Sequence, residues 1–110
     1  MPGHTDDLRH GSLDLLVLKA VCWGPMHGYT ITKWIQDRAG RDFPIIDAAL
    51  YKALHRLEED GALGAEWGLS ENNRRAKYYS ITARGRELLR SEIAGWRRYA
   101  AAIEAVITTS

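Results

Sequence analysis

The segment Asn72-Asn73-Arg74-Arg75-Ala76-Lys77 places two side-chain amides and three cations within six residues, a combination suited to contact with a polyanion. Amides donate to phosphate oxygens or base edges. Each cation that neutralises a phosphate releases a condensed counterion, which supplies most sequence-independent affinity for nucleic acid. A purely structural turn more commonly carries glycine, aspartate and serine with mixed charge. From Ser70 to Arg90 the cations Arg74, Arg75, Lys77, Arg84, Arg86 and Arg90 face only Glu71 and Glu87, a local excess on a chain of net charge +1. Compensating acids such as Glu58-Glu59-Asp60 gather elsewhere. A solvated basic face would look the same from charge alone, so the surrounding elements must decide.

A second group lies upstream. Leu50, Leu54 and Leu57 have the spacing of an inward helical stripe, with Asp47 as the expected N-cap and Asp60-Gly61 as the end. The opposite face then presents Ala48, Ala49, Lys52, His55 and Arg56. Small residues at the helix start permit close approach to a duplex, and the free N–H groups favour phosphate. Lys52 and Arg56, one turn apart, suit base edges or phosphates. Tyr29, Ala49, Tyr51, Lys52, His55 and Arg56 therefore join Asn72, Asn73, Arg74, Arg75 and Lys77 as the candidate DNA-contacting residues.

Other chemistries lack their residues. His4, His10, His27, His55 and Cys22 include no pair at the close spacing of a metal site. There is no phosphate-cradling glycine loop, nucleophile elbow or zinc-spaced His-Glu pair, and Ser12-Leu13-Asp14 beside His10 is expected to be a helix cap rather than a triad. Neither catalysis nor a cofactor is expected. The single cysteine forms no internal disulfide and reads as a small buried hydrophobe of a reducing cytoplasm. The N-terminus lacks a signal-peptide pattern, and no apolar run approaches the roughly 20 residues that span a bilayer.

The elements that would carry these residues follow from periodicity. Ser12 is expected to cap a helix through Trp23, with Leu13, Leu16, Val17, Ala20 and Val21 on one face and Leu15, Leu18 and Cys22 on another. Gly24-Pro25-Met26-His27-Gly28 breaks it, and a second helix runs from about Tyr29 to Ala39, closed by Gly40. After the third helix, Leu63, Ala65, Trp67 and Leu69 alternate as a half-buried strand. Glu71 to Arg75 turn, and Lys77-Tyr78-Tyr79-Ser80-Ile81 returns to close a hairpin. Thr82 caps a last helix to about Ile107, whose Leu89, Ile93, Trp96, Ala100, Ile103 and Ile107 follow a heptad seam. That helix, about 39 Å long, outruns a domain with a radius of gyration near 13 Å.

The expected fold is mainly α with a small β-hairpin: a winged helix-turn-helix plus a long C-terminal dimerisation helix. Residues 1–10 form an N-terminal segment, 11–82 the winged domain and 83–110 the dimerising helix. Leu15 and Leu18 from the first helix join Leu89, Ile93, Trp96, Ala100, Ile103 and Ile107 in the expected homodimer interface.

Gly11-Ser12-Leu13-Asp14-Leu15-Leu16-Val17-Leu18, Gly24-Pro25-Met26-His27-Gly28-Tyr29, Leu50-Tyr51-Lys52-Ala53-Leu54-His55-Arg56-Leu57-Glu58, Ser70 through Tyr79 and Thr82-Ala83-Arg84-Gly85-Arg86 resemble the PadR family, in order, from about Leu8 to Ile107. The resemblance implies a dimeric cytoplasmic regulator, usually a repressor, that binds a palindromic operator on double-stranded DNA. It also implies the small subclass with one C-terminal dimerising helix. Where the family usually has a small hydroxyl residue before Leu-Tyr and proline after it, this chain has Ala48-Ala49 and Lys52, so a phosphate-binding hydroxyl is missing and a cation is gained. Some members bind planar aromatic ligands near the dimer interface, which makes Trp96 a candidate effector residue, although an aromatic at heptad spacing is more often there for packing. The competing function is a winged-helix protein-interaction module that does not bind DNA.

Overall fold

The computed structural model describes the backbone from His4 to Ser110 and side chains from Ser12 onward. The side chains of His4 and His10, weighed above as metal ligands, lie outside the described residues. Helix α1 spans His4–Ala20 and continues into a 3-10 turn, Val21–Trp23. Ser12 therefore lies inside α1 instead of capping it, and the boundary expected after residue 10 falls within the helix. One interior glycine costs a helix only about 1 kcal/mol, which the apolar face that follows offsets.

Strand β1 (Met26–His27) precedes α2 (Gly28–Ala39) and α3 (Asp47–Glu59); β2 (Leu63–Leu69) and β3 (Arg75–Ile81) precede α4 (Ala83–Ile107). The sheet has the antiparallel order β1-β3-β2. Three strands stand where the sequence pattern predicts two. β1 pairs Met26 with Tyr79 and His27 with Tyr78, and so ties the start of α2 to the sheet.

The core fills the space among α1, α2, α3 and the base of the sheet. Val17, Leu18, Ala20, Ile31, Leu54, Ala53 and Ala62 are fully buried, with Leu50, Leu57 and Leu63 nearly so. On α3 the buried positions 50, 53, 54 and 57 form one stripe, as expected for a helix with one covered face. Ile46, not Asp47, is the N-cap of α3; Asp47 occupies the first turn, where the helix dipole favours an acid.

Thr82 caps α4 as expected, its hydroxyl accepting from the Gly85 N–H at 3.0 Å. Gly85 is buried beneath the Ala62 carbonyl, and a Cβ there would come within 2.1 Å of that oxygen. Only the first half of α4 packs on the domain, through Leu89 and the half-buried Leu88 and Ile93. Its 25 residues extend about 37 Å. The molecule measures 57 × 29 × 26 Å, and its radius of gyration of 15.2 Å exceeds the compact value because the rest of α4 projects away.

Candidate nucleic-acid interface

The outward face of α3 presents Ala48, Ala49, Tyr51, Lys52 and His55, all exposed. No side chain caps this helix, so its first N–H groups lie under two alanines that leave the backbone approachable. His55 Nε2 lies 2.8 Å from Glu59 Oε1 on the solvent side.

Arg56, expected on the DNA-contacting face, is paired within the chain. Its guanidinium donates to Asp14 Oδ1 on α1, fastening α3 to the first helix. Lys77 is likewise engaged. Its Nζ donates to Glu58 Oε1 at 2.9 Å, and that bond holds its pKa above the ordinary lysine value. Both pairs brace α3: Arg56 on the helix reaches Asp14 of α1, and Lys77 of β3 reaches Glu58 on the helix.

The turn between β2 and β3 forms as expected. Asn73 takes a left-handed φ of 60°, and Ser70 N donates to the Arg74 carbonyl at 2.8 Å. Asn72, Asn73, Arg74 and Arg75 are exposed at the tip. The strand below it departs from the expected alternation. Leu63 and Ala65 turn into the core, but Trp67 and Leu69 are 59% and 66% exposed, because the hairpin extends beyond the helices that could cover them. Trp67 instead carries the Arg75 guanidinium over its ring, 4.6 Å from the centroid.

Tyr29 and Tyr51 meet this hairpin across a cleft. At Gly28 a Cβ would lie 2.7 Å from the Tyr51 hydroxyl, so glycine allows the tyrosine to pack against the start of α2. The cleft brings Tyr29 of α2, Tyr51 of α3, and Trp67 and Arg75 of the hairpin onto one surface. A neighbouring depression joins Thr30 and Lys33 of α2 to Asn72 at the hairpin tip. The sequence pattern does not single out Lys33, Thr30 or Trp67, since the shared surface depends on β1, whose pairing spans more than 50 positions.

A family model for PadR-like transcriptional regulators matches residues 17–91, the whole stretch from the last turn of α1 into α4. The chain belongs to the PadR-like family. A transcriptional regulator from Clostridium thermocellum is similar over 90% of this chain and 93% of its own, at 28% identity and a TM-score of 0.79. A PadR family transcriptional regulator from Eggerthella lenta is 31% identical, covering 96% of this chain and 90% of that one, with a TM-score of 0.78. An uncharacterized protein from Lysinibacillus sphaericus is 31% identical over 90 residues, 82% of this chain and 83% of the relative.

In this PadR-like chain the positions assigned to a dimer seam divide in two. Leu18 is fully buried and Leu89 is 6% exposed within one protomer, which leaves them almost no surface for a partner. Ile93 is half-buried against the core. Trp96, Ile103 and Ile107 are exposed, and Tyr99 and Val106, absent from the expected set, are exposed beside them. Trp96 also walls an apolar pocket with Leu15, Leu16, Ala39 and Phe43. Among the described residues, no three His, Cys, Asp or Glu side chains gather as metal ligands. No described helix is long and apolar enough to cross a membrane.

Proposed function

We propose that this regulator binds double-stranded operator DNA as a homodimer, inserting α3 in the major groove while the β2–β3 hairpin reaches the adjacent backbone. The observation that carries this reading is the cleft that gathers Tyr29, Tyr51 and Arg75, with Lys52 exposed on α3 and Arg74 exposed at the hairpin tip. Helix-in-groove docking needs a helix whose first turns are unobstructed, and Ala48-Ala49 meets that need. Lys52 contributes base or phosphate contact; Arg74 and Arg75 contribute phosphate neutralisation.

The second half of α4 supports the dimer. Trp96, Tyr99, Ile103, Val106 and Ile107 are exposed there, and burying each large apolar side chain stabilises by about 1.5–3 kcal/mol. Residues 83–110 thus serve as the dimerising helix, with Leu15, Ile93 and Ala100 at its margin. A two-fold dimer presents two reading helices to a palindromic site. Occupancy of such a site in the cytoplasm represses transcription where it overlaps a promoter. The apolar pocket at Trp96 suits a planar aromatic effector, whose binding would change Trp96 fluorescence relative to a W96F control.

Selection from a random duplex pool at low salt tests the DNA reading. A recovered palindromic consensus supports it. A protein that enriches no sequence and shifts no duplex is instead a protein-interaction module.

A further inference from the structure

Trp67 is a large apolar side chain left 59% exposed on a hairpin that also carries the exposed cations Arg74 and Arg75. Strand register shows which way it faces. Trp67 lies opposite Lys77 and Leu69 opposite Arg75, and opposite residues of an antiparallel pair share a face. That face begins in the core at Leu63 and Tyr79 and passes Lys77, which bonds Glu58 of α3. It therefore looks toward the reading helix, and Trp67 and Arg75 continue it past the edge of the core.

Arg75 is the diagonal neighbour of Trp67, within reach of a long side chain. Its guanidinium covers the indole at 4.6 Å. Stacking occupies the flat face of a guanidinium and leaves the N–H groups at its edge free to donate. An arginine so supported loses less freedom on meeting a phosphate than one extended in water.

We infer that Trp67 is a positioning residue for DNA binding: its indole holds Arg75 in the cleft between α3 and the hairpin, ready for a backbone phosphate. Trp67 acts through Arg75 and not by touching the duplex. This role rests on the DNA-binding reading above.

A double-mutant cycle on duplex affinity tests it, using the full chain with wild type, W67A, R75A and W67A/R75A, and adding W67F and R75K. Two exposed stacks per dimer predict that W67A weakens binding about 5- to 30-fold. W67F, which keeps an aromatic platform, restores most of the affinity. R75K, which keeps the charge and loses the planar stack, binds like W67A. In the R75A background, W67A has no further effect. Independent losses from W67A and R75A would overturn the assignment, as would an R75K variant that binds like wild type. If wild type binds no duplex, the DNA-binding reading falls and this assignment with it; wild-type binding with additive losses removes the Trp67 assignment alone.

Discussion

Lys77 Nζ lies 2.9 Å from Glu58 Oε1, joining the last turns of α3 to the returning strand of the hairpin. This bond links the two elements that would meet DNA. It also separates the cations of the hairpin into a brace, Lys77, and free donors, Arg74 and Arg75. The salt dependence of duplex binding distinguishes them. R74A should flatten the slope of log affinity against log salt by about 1 for each phosphate it no longer neutralises, so about 2 per dimer. K77A should leave that slope near wild type while lowering Tm slightly. A K77A slope that falls as far as R74A would show Lys77 on phosphate instead.

Lys52 stands on the outward face of α3 where the family usually has proline. K52A should reduce preference between sequences more than affinity for DNA in general. The ratio of affinity for a selected duplex to that for a random one should drop about tenfold or more, as when a well-placed hydrogen bond to a base edge is removed. Equal losses on both duplexes would assign Lys52 to phosphate.

Gly85 lies against the Ala62 carbonyl where α4 leaves the sheet. G85A would force backbone apart, since the Ala62 oxygen is not the end of a flexible side chain. A loss of about 1–3 kcal/mol in denaturant unfolding is expected, as for overpacked sites. An unchanged midpoint would mean that α4 is not seated this tightly in solution.

Glu92 on α4 has its pKa raised, first by burial and then by the nearby charge of Asp14. The folded chain therefore holds that proton more tightly than the unfolded chain does. The group favours folding below its ordinary value of 4.5, and this contribution is lost as pH rises through the higher folded value. E92Q should raise Tm at pH 7 by about 1–3 °C and have little effect at pH 4. A destabilised E92Q at pH 7 would show that the ionised carboxylate has a favourable partner, for which Arg56, lining the same cleft, is a candidate.

Local signals were legible in the sequence. The Thr82 cap, the turn around Asn73 and the inward stripe of α3 depend on residues a few positions apart, and each formed as the pattern implied. What the sequence concealed depends on distant partners. Arg56 finds Asp14 across 42 positions, and β1 is too short for any periodicity to announce its pairing with β3. Trp67 illustrates a second limit: alternation tells which residues share a face but not how far the core beneath that face extends. Leu18 and Leu89 looked available to a partner because a single sequence cannot say how much of a helix its own domain will cover.

On the proposed reading, two chains joined through the projecting half of α4 hold one duplex. Sedimentation of the protein at micromolar concentration with a labelled duplex measures this directly. The expected result is a dimer alone, two chains per selected duplex in the complex, and a monomer with weakened binding for I103E. A wild-type chain that sediments as a monomer, or that binds no duplex even in low salt, would contradict it.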